Sequence, residues 1–239
     1  MITIKAENVS KKYDGFSLNG FSLELESGKM FGILGPNGSG KSTIIKILTG
    51  QIKPDKGKIE IMGTNPITEP IKAKEKIGII PEQETPPSFL TVKEYLDFVC
   101  KIRNITDSEK RINFFLNLLE FKEDKNSLIK DLSRGTKQKV LFAQAFIHYP
   151  KLVFIDEPLI NLDPIIQKKV KEYLVEYVKL GNTIVISTHI LSIAEQICTD
   201  VCILNHGKIL YNGNLSRIKK DYENLEEYFV KLIAKNDNK

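Results

Sequence analysis

The hydrophobic positions of this chain change their spacing along the sequence, and each spacing predicts a different kind of element. Residues 2–6 and 16–25 alternate between apolar and polar, which predicts strands of a sheet with one buried face. Residues 30–34 form an unbroken apolar run, as expected of a strand buried on both faces. Two more strands are predicted at 58–62 and 76–80. The first third of the chain is therefore predicted to be rich in strands.

From residue 91 onward the apolar spacing becomes helical. Apolar side chains recur three or four positions apart in one set and then again in a second. The two sets are Val92, Tyr95, Leu96, Val99 and Ile102, and then Ile112, Phe115, Leu116 and Leu119. We therefore predict a mainly helical insertion over residues 88–150.

Strands and helices alternate after this insertion. Strands are predicted at 152–155 and 183–187, and helices at 164–180 and 190–197. Such alternation is typical of a parallel sheet flanked by helices. Two short strands and a charged helical tail follow.

Composition narrows the class of protein only slightly. The 239 residues are 41% hydrophobic, enough for one large domain or two small ones with a full core. The 35 basic and 30 acidic side chains are spread along the chain without a basic arm, so no nucleic-acid partner is expected. No apolar stretch approaches the roughly 20 residues of a membrane span, and we expect an intracellular protein. The three cysteines lack metal-type spacing, so we expect them to pack in apolar surroundings.

The strongest chemical signal follows the apolar run. Residues 35–43 fill the phosphate-binding P-loop pattern of Gly, four residues and Gly-Lys-Ser, placed between a strand and a helix. Glycines permit the positive φ angles with which such a loop turns its N–H groups toward phosphates. Lys41 is expected to bind the β- and γ-phosphates, and Ser42 to ligate Mg²⁺. The candidate ATP-binding residues here are Gly35, Pro36, Asn37, Gly38, Ser39, Gly40, Lys41, Ser42 and Thr43.

A second signal lies at the end of the strand predicted over 152–155, where Asp156 and Glu157 follow four apolar residues. A buried strand that ends in two carboxylates brings charge to the carboxyl edge of a sheet. Asp156 is predicted to contact Mg²⁺ through a water molecule. Glu157 is predicted to be the general base for the water that attacks the γ-phosphate.

Residues 132–138, Leu-Ser-Arg-Gly-Thr-Lys-Gln, predict a helix with Ser133 as its N-cap. The segment also resembles the Leu-Ser-Gly-Gly-Gln signature of the ABC ATPases, with Arg134 and Thr136 in place of one glycine and the glutamine. The resemblance to this family spans essentially the whole chain. It implies that Ser133 and Gly135 contact the γ-phosphate bound by a second subunit, where a helix N-terminus suits an anion.

Three further residues match motifs of this family in its order. Tyr13 resembles the aromatic residue that stacks on adenine, although a surface tyrosine on a strand would give the same pattern. Asp163 resembles the D-loop residue that reaches the partner subunit. His189 resembles the switch histidine that touches the γ-phosphate, and it is predicted to be catalytic. His148 and His206 are interpreted as ordinary helix-end and turn residues.

One position departs from the family pattern. The family places a glutamine after the strand predicted at 76–80, and counting back from Leu90 puts Glu82 there, with Gln83 one place later. Either side chain is long enough to reach Mg²⁺ and the attacking water. The predicted metal ligands are Ser42, Asp156 and either Glu82 or Gln83.

The resemblance implies an α/β fold of the P-loop NTPase (RecA-like) class. An N-terminal antiparallel β subdomain and an inserted α-helical signature subdomain accompany the core of this fold. We expect one ABC ATPase domain over residues 1–239, with the β subdomain and P-loop core in 1–87 and 151–213. The helical subdomain is expected in 88–150 and a C-terminal helical tail in 214–239.

The same resemblance implies a function. ATP with Mg²⁺ would bind between two nucleotide-binding subunits, identical or different, and dimer closure with ATP hydrolysis would energise an ABC transporter. A separate transmembrane permease subunit would hold the chain on the inner face of the cell membrane. Segment 132–164 and the tail at 225–229 are most similar to the drug, lipid or peptide exporter branch, so export is predicted, with import as the alternative.

A second hypothesis is a soluble ABC-type ATPase switch that acts on nucleic acid, the ribosome or an assembly scaffold. Only 92 positions separate Lys41 from Ser133 (133 − 41), which leaves no room for the long coiled coil of chromosome-maintenance ATPases. The even spread of charge also argues against this hypothesis.

Overall fold

The structure is a computed structural model that describes residues 1–82, 86–121, 125–157 and 162–237. Its strands are β1 (Ile2–Tyr13), β2 (Phe16–Glu26), β3 (Met30–Leu34), β4 (Lys56–Ile61), β5 (Ile77–Ile80), β6 (Leu152–Asp156), β7 (Thr183–Thr188), β8 (Asp200–Asn205) and β9 (Lys208–Asn214). Its helices are α1 (Lys41–Leu48), α2 (Pro70–Lys76), α3 (Val92–Ile102), α4 (Ser108–Leu118), α5 (Arg134–Phe146), α6 (Pro164–Lys179), α7 (Leu191–Ile197), α8 (Leu215–Asp221) and α9 (Leu225–Asp237).

The larger sheet has six strands in the order β5-β6-β7-β3-β8-β9. The strands from β5 to β8 in this order are parallel, and β9 pairs antiparallel with β8. Every residue of β3, β6 and β7 is buried, because apolar clusters cover both faces of the sheet. Since parallel strands end at one edge, the loops after β3, β5, β6 and β7 meet there.

The smaller sheet is antiparallel, in the order β2-β1-β4, and carries the predicted one-sided burial. Its apolar face packs with α1 and the larger sheet in a single cluster that includes Val9, Phe21 and Leu23. Gly207, in the turn between β8 and β9, lies so close to β2 that a Cβ atom would be 1.8 Å from the Ser17 carbonyl oxygen. Only glycine fits at this contact, which joins the two sheets beside the P-loop.

Helices α3, α4 and α5 form the helical segment that the apolar spacing predicts. α3 begins with a capping box, in which Thr91 and Glu94 each bond the other's backbone N–H. The apolar faces of α4 and α5 reach α6, where Phe115 and Phe146 pack edge-to-face on Tyr173. These contacts bind the helical segment to the core, while its status as a separate subdomain stays a prediction.

Helix α2 is absent from the sequence-based expectations. Among its side chains only Ala73 is buried, so no apolar periodicity marks the helix. Lys76, expected to begin a strand, is instead the last residue of α2, and its ammonium donates to the Met62 carbonyl and the Thr64 hydroxyl. That boundary was predicted wrongly, since β5 begins at Ile77.

The three cysteines are free and buried, as expected from their spacing. Burial raises the pKa of the Cys100 thiol to about 11 and the pKa values of Cys198 and Cys202 to about 12. Such thiols stay protonated near neutral pH, which makes them poor nucleophiles and poor metal ligands. The described residues also contain no group of three or more His, Cys, Asp or Glu side chains that could hold a metal.

His148, just after α5, packs against β5 as a neutral imidazole. Its Nε2 atom donates to the Ile77 carbonyl oxygen, 3.1 Å away. Burial lowers the pKa of His148 to about 4, with a smaller contribution from the positive charges of Arg103 and Arg111. The hydrogen bond to Ile77 opposes this shift without cancelling it.

We expect this histidine to make the fold less stable in acid. The unfolded chain, where the pKa of a histidine is about 6.5, takes up the proton before the folded chain does. The free energy of unfolding therefore has its full value, as far as His148 is concerned, above about pH 6.5, and it decreases as the pH falls toward 4. His148→Gln should remove on the order of 2 kcal/mol of this loss, measured by urea unfolding across that range. Equal losses in the wild type and the variant would contradict the prediction.

Candidate functional site

The P-loop links β3 to α1 and is held from two sides. Gly40, just before α1, has a φ of 108°, in the left-handed region that favours glycine. A Cβ atom there would lie 2.7 Å from the ring of Phe16, so the loop packs closely against β2. On the other side, the Gly207 N–H donates to the Ser39 carbonyl oxygen at 3.1 Å. The loop is therefore fixed between β2 and the β8–β9 turn.

Lys41 is buried at the first position of α1, and its ammonium group folds back onto the loop. Nζ donates to the carbonyl oxygens of Gly35 at 2.9 Å and Pro36 at 3.1 Å. Burial lowers the pKa of Lys41, and nearby negative charges act in the opposite direction. The acidic residues responsible are Glu157, Asp156 and Glu82. The ammonium is thus held by the P-loop carbonyls within the electrostatic influence of three carboxylates.

The end of β6 brings the two predicted carboxylates into the site. Asp156 is 4% exposed and accepts a hydrogen bond from the Ser187 hydroxyl of β7. Glu157 is 7% exposed and has a φ of 56°, which is uncommon for a residue with a side chain. Its N–H donates to the Ser187 carbonyl at 3.0 Å, so pairing with β7 continues past the end of β6. Backbone strain of this kind clusters at functional sites.

Residues at and just after the end of β7 bind the Glu157 carboxylate. Oε2 accepts from the Thr188 hydroxyl at 3.0 Å. Oε1 lies 3.2 Å from the His189 backbone nitrogen and 2.8 Å from its ring atom Nδ1. Because a carboxylate oxygen accepts, Nδ1 carries the donated hydrogen. The ring of His189 is nevertheless 46% exposed, so it is accessible to a ligand in the cleft.

Two adjoining cavities lie around these residues. The first, of about 560 Å³, is lined by Gly15, Phe16, Asn37, Gly38, Gly40, Lys41, Ser42, Thr43, Glu82, Glu157 and His206. The second, of about 190 Å³, is bordered by the predicted metal ligands Ser42, Glu82 and Asp156, among others. The first cavity has the size of a small-molecule site, and the second collects hard oxygen ligands of the kind that Mg²⁺ prefers. A third cavity, between α6 and α7, contains none of these residues.

Most of the predicted residues therefore meet at one edge of the sheet. The structure places Glu82 on both cavities, while Gln83 lies outside the described residues. Tyr13 is not among the residues lining either cavity, and its ring centroid lies 6.4 Å from that of Phe16. Its predicted stacking on adenine stays a prediction.

Three residues of the cleft wall, Gly15, Phe16 and His206, were not singled out as site residues. Phe16 belongs to the alternating pattern of β2, and nothing in that pattern separates it from a packing residue. His206 was interpreted as a turn residue; it does lie in the β8–β9 turn, with a φ of 44°, but also borders the cleft. No local pattern in the sequence could have found it, because the contact of the adjacent Gly207 with the P-loop joins distant segments of the chain.

The residues predicted to act on a second subunit lie apart from the cleft lining. Ser133 caps α5 by accepting from the Thr136 N–H at 3.1 Å, as predicted. Asp163 caps α6, where its carboxylate accepts from the N–H groups of Ile165 and Ile166. Neither residue, nor Gly135, lines the P-loop cavity.

A parallel sheet with a phosphate loop after β3 and two carboxylates after β6 defines the chain as a P-loop nucleoside triphosphatase. Residues 18–160 match the ABC transporter family, which is more than half of the chain. The chain therefore belongs to this family, and it is an ABC ATPase. The P-loop fold and the antiparallel N-terminal sheet predicted from the sequence are thereby confirmed.

Several curated proteins are similar over most of this chain. An ABC transporter ATP-binding protein of Synechocystis is 36% identical over 88% of this chain and 60% of its own length. The Nod factor export ATP-binding protein I of Rhizobium is 34% identical, covering 89% and 71%. A probable sulfate/thiosulfate import ATP-binding protein of Chlorella vulgaris is also 34% identical, covering 91% and 93%. The chain thus spans less than two thirds of the first of these relatives.

Two solved structures extend the comparison to three dimensions. An ATP-binding subunit of an ABC transporter has a TM-score of 0.90 at 29% identity, over 97% of this chain and 99% of that one. A dimeric ATP-binding cassette, solved in a post-hydrolysis state with ADP and Pi, has a TM-score of 0.80 at 25% identity. It covers 88% of this chain and 98% of its own. Within the ranges described for this chain, no helix is long and apolar enough to cross a membrane.

Proposed function

We propose that this chain binds ATP with Mg²⁺ in the P-loop cleft, hydrolyses it between two nucleotide-binding subunits, and so drives a membrane transporter. The observation that carries the proposal is the convergence of Lys41, Asp156, Glu157 and His189 at the carboxyl edge of one sheet. The cleft thus contains an ammonium group that can bind phosphates, a carboxylate that can bind a metal ion, and a second carboxylate that can take a proton from water. This is the set that phosphoryl transfer to water needs.

Nucleotide binding requires a change at Lys41. In the structure its ammonium is hydrogen-bonded to two loop carbonyls, and in the complex it would donate to phosphate oxygens. The exchange is favourable because phosphate oxygens carry charge and carbonyl oxygens do not. A bound phosphate would also accept hydrogen bonds from the backbone N–H groups at the start of α1, which have no acceptor within the helix itself.

The residues present fit a magnesium ion. The smaller cavity is bordered by the Ser42 hydroxyl and by the carboxylates of Asp156 and Glu82, which are hard oxygen donors. Ser42 and Asp156 would hold the ion together with phosphate oxygens, and Glu82 takes the position of the family's glutamine. When bound, Mg²⁺ neutralises charge on the phosphates. A carboxylate at residue 82 adds a negative charge that a glutamine would not.

Glu157 and His189 are proposed as the catalytic pair. Glu157 takes a proton from the attacking water, and His189 contacts the γ-phosphate with its exposed ring. In the structure the two side chains bind each other through Nδ1 and Oε1. The other ring nitrogen of His189, Nε2, would therefore be the atom that contacts the phosphate.

The cleft is expected to be completed by a second subunit. Ser133, Gly135 and Asp163 lie at the starts of α5 and α6, away from the P-loop of their own chain. An exposed helix N-terminus with a hydroxyl is suited to the γ-phosphate of a partner chain. The related dimeric cassette with ADP and Pi supports the same arrangement here.

The helical segment is the part of the chain that we propose to contact the membrane permease. Phe89, Phe98 and Ile102 expose 76%, 50% and 62% of their surface along one stretch of it, which suits a hydrophobic contact with a permease. Such a contact would hold the chain at the inner face of the cell membrane. We propose export because segment 132–164 and the tail resemble exporter cassettes; the relatives named for export and for import are equally identical to the chain. Relatives named as transporter subunits give the soluble-switch hypothesis no support.

The composite site has a direct test in Ser133→Glu. A glutamate at the α5 N-terminus would repel the γ-phosphate of the partner, so dimerisation with MgATP should be lost while ATP binding to the monomer is kept. The measurement is light scattering in a Glu157→Gln background, which should hold ATP unhydrolysed. Ser216→Glu, at the exposed start of α8, is the matched control. ATP-dependent dimers of undiminished stability in Ser133→Glu would show that this helix does not complete the site.

A further inference from the structure

Thr188, the last residue of β7, is fully buried and uses its hydroxyl twice. Oγ1 lies 3.0 Å from Glu157 Oε2 and 3.1 Å from the Ile190 backbone nitrogen. Because an N–H can only donate, Oγ1 accepts from Ile190. Its own hydrogen is then directed at the carboxylate, so the hydroxyl has one defined orientation.

The two oxygens of Glu157 are held by different residues. Oε1 is bound by the backbone and the ring of His189. Oε2, in the described part of the chain, accepts from the Thr188 hydroxyl. The Thr188 hydroxyl is thus the side-chain contact that holds the second oxygen of the carboxylate.

The neighbouring pair repeats this arrangement. Ser187 donates to Asp156 in the same way that Thr188 donates to Glu157. Two consecutive hydroxyls at the end of β7 thus bind two consecutive carboxylates at the end of β6, and all four residues are buried. A hydroxyl in such a place fixes the rotation of a carboxylate whose backbone is already constrained by its left-handed φ.

We propose that Thr188 is a positioning residue for hydrolysis, whose hydroxyl holds Glu157 in the orientation that receives the proton of the attacking water. The water proton moves to Glu157 as the new O–P bond forms, and the bond from the γ-phosphorus to the leaving ADP oxygen breaks. Thr188 keeps its own proton throughout. The proposal rests on the proposed role of Glu157 as the base.

Thr188→Ser and Thr188→Ala form a pair that differs only in the hydroxyl. In steady-state hydrolysis of MgATP, Thr188→Ala should lower kcat by about 10- to 100-fold with KM nearly unchanged, since a misplaced base slows the chemical step. Thr188→Ser should restore kcat to within roughly threefold of wild type. Thr188→Val, which keeps the shape of the side chain, should match Thr188→Ala. Thermal unfolding and ATP affinity confirm that each variant compared is folded.

The double variant Thr188→Ala with Glu157→Gln separates this role from an effect on His189 or on folding. If Thr188 acts through Glu157, its removal should cost nothing further in single-turnover hydrolysis once Glu157 is gone. A full additional loss in the double variant, or equal rates for Thr188→Ser and Thr188→Ala, would overturn the proposal. Near wild-type turnover of Glu157→Gln alone would instead refute the proposed base.

Discussion

Glu157→Gln is expected to slow ATP hydrolysis by about 10²- to 10⁴-fold while leaving ATP binding close to wild type. The amide is nearly isosteric, but its single oxygen can accept from only one of the two donors, the Thr188 hydroxyl or the backbone N–H of His189. It cannot take a proton from water at neutral pH. ATP should therefore stay bound, and the two-subunit state that it holds together should accumulate.

Phosphate release, ATP affinity and particle mass together test this expectation. Glu172→Gln on α6 is a suitable control, because the side chain of Glu172 is 65% exposed and only weakly paired. That control should hydrolyse ATP at the wild-type rate. Turnover of Glu157→Gln near the wild-type rate would mean that another group is the base. A slow variant that also lost ATP binding would point to a damaged site.

Lys41→Ala is expected to weaken ATP binding by about 10- to 100-fold, the loss of one or two charge-assisted hydrogen bonds. The substitution also removes the ammonium from the carbonyls of Gly35 and Pro36, so the free protein needs its own check by thermal unfolding. The negative charges of Glu157, Asp156 and Glu82, which act on Lys41, would then act on the phosphates without the balance of its ammonium group. Their repulsion adds to the loss.

Isothermal titration with a non-hydrolysable ATP analogue measures this effect directly. Lys179→Ala is the matched control: Lys179 is the last residue of α6, its side chain is 65% exposed, and it lines neither cavity of the site. Its removal should leave the affinity unchanged. Equal affinities of wild type and Lys41→Ala would remove the proposed phosphate role of this lysine.

Local chemistry made the P-loop and the two carboxylates predictable. A Gly-rich loop with Lys-Ser between an apolar run and a helix is specific for phosphate binding. A buried strand that ends in Asp156 and Glu157 places two charges at the carboxyl edge of the sheet. The cap at Ser133 is equally local, because a hydroxyl and the N–H three residues on are neighbours in any helix. Such features depend on short stretches of sequence.

Features that depend on tertiary contacts were not predictable in the same way. α2 buries a single side chain, so its sequence carries no periodic signal. Phe16 and His206 reach the cleft because β2 and the β8–β9 turn close around the P-loop, which is a contact between distant segments. The hydrogen bond from Thr188 to Glu157 depends on the pairing of β6 with β7. The sequence of a single strand does not predict which strands will be its neighbours in the sheet.

The place of β7 in the sheet has a consequence for distance. β7 lies between β3, which carries the P-loop, and β6, which carries the carboxylates. Neighbouring strands are about 4.8 Å apart, so the ends of β3 and β6 stand roughly 10 Å from each other at the sheet edge. That gap accommodates a terminal phosphate and one water in a row. β7 therefore acts as a spacer of fixed width, and the backbone hydrogen bonds on its two sides set the distance between the ends of β3 and β6.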